Sequence, residues 1–167
     1  MKLNMAMPLR ILGVDPGYGR VGWGIVEKFR GDITYIAHGC IETSPKVSFS
    51  QRLSDIFVAL EGLISTYSPE VAAIEELFFA KNVTTGIQVA HARGVILLAL
   101  HQANIPSKTV TPSQVKQSMT GYGRASKRQV QEMVKHCLHL KVIPSPDDAA
   151  DALAVAFTAS PLFFVEK

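Results

Sequence analysis

The chain has 167 residues, of which 47% are apolar or aromatic and 19% charged, a length and balance that fit one compact globular domain rather than two. A domain of this size buries roughly 70% of the surface its unfolded chain exposes, so neither a disulfide nor a structural metal is needed to hold it. The net charge is +3, and the two cysteines, Cys40 and Cys137, show no pairing pattern, which excludes a disulfide scaffold and favours a reducing cytoplasm.

Residues 1–8, with three methionines, are too short and too weakly apolar for a secretory signal and read as a flexible leader. No apolar run is expected to reach the ~20 residues of a membrane span. Residues 9–15, 21–28 and 33–43 are rich in Ile, Val, Tyr and Trp and are separated by glycine-containing turns, so they read as three antiparallel strands. Ser48 or Ser50 caps a helix in which Leu53, Ile56, Phe57, Leu60, Leu63 and Ile64 recur at the helical period, and Pro69 ends it. Residues 71–75 form a short buried strand, 83–103 a long helix, and 106–110 a last strand. Thr111-Pro112 and Ser126 open two further helices on either side of Gly121-Tyr122-Gly123, and Ser145-Pro146 opens a final one over 147–159. This order predicts an α/β domain over 9–160, a mixed sheet with helices on its faces, followed by a short tail over 161–167.

Charge is unevenly spread. Between Lys108 and Lys135 six basic residues face a single acid, Glu132, a local balance of +5 that leaves −2 for the remainder. A solvated helical face would account for such a run taken alone, whereas an acidic cluster beside it points to an anionic partner.

The acids are oddly placed. Asp15 ends an apolar strand at Asp-Pro-Gly, which is also ordinary turn chemistry. Glu75 closes the apolar run Val71-Ala72-Ala73-Ile74, where a carboxylate is rarely left unpaired, while Glu76 faces the other way and is expected to be exposed. Asp147 and Asp148 fall in the first turn of the last helix, where the helix dipole favours them. Asp151 lies beyond that benefit and shares a face with both, so spacing alone does not choose between Asp147 and Asp148. Carboxylates gathered from separate elements repel unless a cation neutralises them, and an all-oxygen set suits Mg²⁺ or Mn²⁺ rather than Zn²⁺. Next to a basic segment, such a cage suits two metal ions acting on a phosphodiester.

The segment Ile11-Leu12-Gly13-Val14-Asp15-Pro16-Gly17, followed by Gly22-Trp23-Gly24, resembles the first motif of RuvC-type Holliday junction resolvases. The likeness continues in the family's order through Ala73-Ile74-Glu75-Glu76-Leu77-Phe78, Ala80-Lys81-Asn82, Ala92-Arg93-Gly94, Val115-Lys116-Gln117 and Asp148-Ala149-Ala150-Asp151-Ala152-Leu153-Ala154. It implies a ribonuclease-H-like fold, a homodimer, paired symmetric cleavage of four-way DNA junctions in recombination and repair with two Mg²⁺ per site, and a branch-migration motor as partner. By position it makes Asp15, Glu75, Asp148 and Asp151 the metal-binding acids, leaving Asp147 as an extra one. Phe78 rather than Phe79 would reach DNA, where an aromatic stacks on an exposed base at ~1–3 kcal/mol. Lys81, Arg93, Lys116, Arg124, Lys127 and Arg128 would be phosphate contacts, with Lys116 and Lys127 nearest the scissile phosphate. Tyr18 departs from the small or polar residue usual after Asp-Pro-Gly and is expected to alter the site's rim; the family's occasional basic tail is not seen after Phe164.

Two other readings share some of these features. A noncatalytic junction-binding relative would keep the basic segment but could lose acids that are all present here. An actin-like phosphotransferase uses a similar strand end but needs two such domains, more chain than 167 residues supply.

Overall fold

The computed structural model describes residues 7–77 and 83–163. Strands β1 (Leu9–Asp15), β2 (Arg20–Phe29) and β3 (Asp32–Glu42) form a meander, β1 pairing antiparallel with β2 and β2 with β3. Arg30 and Gly31, both at positive φ, make the tight turn between β2 and β3. β3 stops one residue earlier than the sequence suggests. Thr43 leaves the ladder because its amide donates to the Gly19 carbonyl (3.0 Å) and its hydroxyl to the Tyr18 carbonyl (2.6 Å).

Helix α1 (Phe49–Tyr67) starts where the Ser48 hydroxyl accepts the Gln51 amide, and it ends at Ser68, whose left-handed backbone returns its amide to Ile64. β4 (Val71–Glu75) then pairs parallel with β1. After α2 (Val83–Gln102), β5 (Ser107–Val110) pairs parallel with β4, giving the strand order β3-β2-β1-β4-β5. Capping boxes at Thr111 and Ser126 open α3 (Pro112–Thr120) and α4 (Lys127–Cys137), and α5 (Asp147–Ala159) runs into a single 3₁₀ turn.

Alternation along β1 divides the core in two. Leu12 and Val14 meet Ile56 and Leu60 of α1 and Ile96 and Leu100 of α2 on one face. Ile11, on the opposite face, joins Val115 of α3, Val134 of α4 and Leu153 of α5. The molecule is thus the expected α/β sheet with helices on both faces, in the ribonuclease-H-like arrangement.

Close approach of α5 to the sheet positions the site. A Cβ on Gly13 would run into the Ala152 carbonyl and the Ala156 amide, and one on Gly22 would run into the Asp148 carbonyl. Only glycine fits beneath the helix at these two points, and the buried alanines 149, 150, 152, 154 and 156 complete the contact from above.

α2 corrects one expectation. Its 20 residues reach a mean hydropathy of 1.4 over an 18-residue window, a length and composition sufficient to cross a membrane. Arg93 is its single Asp, Glu, Lys or Arg, and interruption by small and polar residues had masked the run. In the fold, Ala92, Ile96, Ala99 and Leu100 are buried in the core with α1, while Ile87 and Leu98 remain about half exposed (49% and 50%).

Candidate active site

The parallel register of β1 and β4 sets Val14 against Ile74, which brings the next residues of each strand, Asp15 and Glu75, side by side at one edge of the sheet. Both follow fully buried apolar residues, so both carboxyls sit where water is scarce. Burial, and after it the charges of Glu75, Asp151 and Asp148, push the Asp15 carboxyl up to about 8, with Lys127 working in the opposite direction. Glu75 is raised by burial and by Asp151, partly offset by its hydrogen bond with Asp15 and by Lys127 and Lys116. Glu76 is exposed, as the strand period predicts.

α5 supplies the other two acids. Asp151 is raised by burial, against the hydrogen bond and charge of Lys127. The Lys127 Nζ, at the first residue of α4, lies 2.9 Å from Asp151 Oδ2 and 3.3 Å from Asp147 Oδ2. Burial acts to lower the Lys127 ammonium, but these two carboxylates outweigh it and hold it up. The two first-turn acids differ in surroundings: Asp148 is among the charges acting on Asp15, whereas Asp147, with 71% of its side chain exposed, is paired with Lys127, and both raise Asp151. On the far side, Arg20 Nη1 stands 3.8 Å from Asp148 Oδ2, and its Nη2 donates to Glu42 Oε1 at 3.0 Å.

Asp15, Glu75, Asp148 and Asp151 therefore gather from β1, β4 and α5. Among the described residues no three His, Cys, Asp or Glu side chains are already arranged to chelate one ion. Compensating charge comes from the Lys127 ammonium beside Asp151 and, at 3.8 Å from Asp148, from the Arg20 guanidinium. A donor set made only of carboxylate oxygens, partly buried and in excess of its cations, fits a hard divalent ion such as Mg²⁺.

A cavity of about 250 Å³ opens beside the acids, with Glu75 and Asp151 on its walls and Lys116, Lys127, Pro112 and Val130 around them. Of the basic residues singled out in the sequence, Lys116 and Lys127 thus come to the acids. Arg124 is exposed between α3 and α4. Arg128 is exposed and donates from Nε and Nη2 to Glu132 one turn on (3.1 and 2.8 Å), so a phosphate would have to displace that carboxylate. Arg93 is half-buried, its Nη2 donating to the exposed Thr109 Oγ1 at 2.9 Å and its Nε buried without an acceptor among the described residues. Phe78, Phe79 and Lys81 lie outside the described residues. Tyr18 is packed against α1, with the Arg52 guanidinium 4.7 Å above its ring and Phe49 edge-on at 6.1 Å. It anchors the β1–β2 turn.

The residue that sequence reasoning missed is Arg20. Its only sequence signal is an opposite charge, Glu42, on what proves to be the paired strand.

The family model for crossover junction endodeoxyribonuclease RuvC matches residues 11–159. The chain belongs to that family. A RuvC from Thermotoga maritima is 53% identical over 149 residues, covering 89% of this chain and 89% of the relative. One from Thermosipho melanesiensis is 52% identical over 149 residues, covering 89% of this chain and 95% of the relative. Among solved structures, Thermus thermophilus RuvC in complex with a Holliday junction substrate matches with a TM-score of 0.86 at 33% identity, covering 91% of this chain and 93% of that one. The yeast mitochondrial Holliday junction resolvase Ydc2, at 14% identity and a TM-score of 0.67, shares the fold.

Proposed function

We propose that this member of the RuvC family is a Mg²⁺-dependent endodeoxyribonuclease that resolves four-way DNA junctions by paired symmetric nicks in recombination and repair. The observation that carries this reading is a cavity walled by Glu75 and Asp151 together with Lys116 and Lys127, with Asp15 beside Glu75 in the strand register and feeling the charges of Asp148 and Asp151. Asp15, Glu75, Asp148 and Asp151 would hold two Mg²⁺, for which Mn²⁺ would substitute, and the ions would supply a hydroxide nucleophile and stabilise charge on the leaving oxygen.

The chain's own groups do the rest. Asp15 and Glu75, both raised by burial and neighbouring charge, would be held in their ionised form by a bound divalent cation, which offsets that repulsion. Lys116 and Lys127 hold phosphate oxygens at the cavity and favour charge developing on them. Asp147 gives the Lys127 ammonium a second anchor at the rim. Residues 9–160 form the nuclease unit, and Phe78, Lys81, Arg93, Arg124 and Arg128 remain proposed DNA contacts.

One such cluster cuts one strand, whereas resolution needs two cuts related by a twofold axis, which supports a homodimer. Ile87, Gly94 and Leu98 share one side of α2 and are exposed in the single chain, which makes that side the proposed interface. A branch-migration motor as partner rests on the family resemblance alone. Incubation of the protein with a synthetic four-way junction and Mg²⁺ tests the reading: two symmetric nicks yielding two duplexes are expected, and an uncut junction overturns it. Leu98→Asp is expected to sediment as a monomer that binds junctions weakly and does not resolve them.

A further inference from the structure

A DNA strand crossing the acids must leave them on two sides. Lys116 and Lys127 occupy only one. Along this edge of the sheet the order of strands places β2 on one side of Asp15, and β4, β5 and then α3 with Lys116 on the other. The β2 side carries Arg20, the first residue of that strand, and among the described residues Arg20 and Lys127 are the two cations within 4 Å of the four acids.

Arg20 is held in an unusual way. Glu42 is its register partner on β3, and the 3.0 Å bond to Glu42 Oε1 uses Nη2 alone. Nη1 stands 3.8 Å from Asp148, beyond hydrogen-bond length, so Nη1 and Nε have no acceptor among the described residues. The side chain is 56% exposed. A planar fork is therefore fixed at one corner, keeps donors unspent, and stands over the mouth of an acidic cluster. Because Nη2 carries a second hydrogen, one edge of the fork, that hydrogen with Nη1 or with Nε, remains open to the oxygens of a phosphate group.

We propose that Arg20, aimed by Glu42, grips the phosphate next to the scissile one, on the side away from Lys116 and Lys127. The strand is then clamped on both sides of the cut. Uncompensated carboxylates repel an approaching phosphate, and Arg20 offsets that repulsion on the side where no lysine does so. This assignment rests on the nuclease reading above, since it needs a strand laid across the acids.

The test measures binding of a synthetic four-way junction in EDTA, so that cleavage does not intervene, using wild-type protein, Arg20→Ala, Arg20→Lys and Glu42→Gln. Arg20→Ala is expected to weaken binding about 10-fold, the size of one charged hydrogen-bonded contact. It should also lower the slope of log affinity against log salt by about 1. Arg20→Lys should restore the slope but not the full affinity, and Glu42→Gln should lose less than Arg20→Ala. Junctions carrying one neutral methylphosphonate at each position around the cut then locate the contact: at a single position, next to the scissile phosphate, wild type and Arg20→Ala should bind equally.

Removal of this exposed strand-end pair should leave thermal melting nearly unaltered. An Arg20→Ala protein that binds like wild type, or that is weakened equally with every methylphosphonate, overturns the assignment and makes Arg20 an ion-pair partner of Glu42 only. Wild-type protein that binds no junction overturns both this assignment and the reading beneath it.

Discussion

β1 carries a charge near each end, and the two ends are treated oppositely. Near its start, the Arg10 guanidinium donates to Glu27 Oε2 at 3.2 Å and to the Tyr67 carbonyl at 2.9 Å, while the Arg10 amide donates to Glu70 Oε2 at 2.6 Å. At its finish, Asp15 meets Glu75, Asp148 and Asp151, with Lys127 as the compensating cation acting on it. Charges matched to partners in place tie strands together. Charges gathered without enough partners strain against one another, and that strain is relieved by a cation or a proton brought from outside.

The largest expected effect comes from removing charge at the strained end. Asp15→Asn should lower junction cleavage by at least ~10²-fold, the scale of losing one group that stabilises transition-state charge, while leaving junction binding in EDTA intact. Glu75→Gln and Asp151→Asn should behave alike, and Asp148→Asn should as well. Full cleavage by Asp15→Asn under Mg²⁺ would erase the difference between the two ends of β1.

The next effect sharpens the comparison through pH. In the metal-free fold Asp15 keeps its proton up to about 8, whereas its ordinary value is 3.8. Between those values the folded state binds more protons than the unfolded one, so the group's contribution makes stability fall as pH rises through that window. Glu75 and Asp151, also raised, act in the same direction. Urea denaturation without metal should therefore show Asp15→Asn to be more stable than wild type at pH 8, with the gap closing towards pH 4. Mg²⁺ should restabilise the wild-type protein at pH 8 more than the variant.

Lys127→Ala should reduce cleavage about 10-fold or more with a smaller loss of junction affinity, if its ammonium acts on the scissile phosphate. Because Lys127 draws the carboxyls of Asp15, Glu75 and Asp151 down, its removal should also move the pH midpoint of activity upward. Reduced affinity with unchanged single-turnover cleavage would separate Lys127 from the chemistry.

The smallest effect belongs to the balanced end. Arg10→Ala should lower stability by about 1 kcal/mol, because its pair with Glu27 is partly exposed and screened by water. A shift in the urea midpoint with unchanged single-turnover cleavage is the expected result, and a loss of cleavage would mean that this end also serves the site.

Much of this was legible in the chain. The bounds of β1 and of α5 coincide with the apolar periodicity, and the caps at Ser48, Thr111 and Ser126 with the local hydrogen-bonding side chains. Glu75 stood out because a carboxylate closed a run of buried residues. Arg20 did not, since its partners are 22 residues away on β3 and on a helix near the chain's far end. Arg93 and Arg128 looked like the other basic residues until Thr109 and Glu132 were seen to hold them.

The sequence by itself determined the order and type of the elements and the family, and it singled out the candidate acids, because periodicity, capping and motif order act over a few residues at a time. The tertiary structure alone decided which acids share one electrostatic environment. Asp147 and Asp148 are equivalent in helical spacing, and they are told apart by the rotation of α5 on the sheet, which Gly13 and Gly22 permit by lacking a Cβ. That rotation sets Asp148 on the Arg20 side, where its charge reaches Asp15, and Asp147 on the Lys127 side. Coulomb interactions and desolvation depend on distances between elements far apart in the chain, so the upward shift of the Asp15 carboxyl follows from the packing of β1, β4 and α5 and from no local pattern.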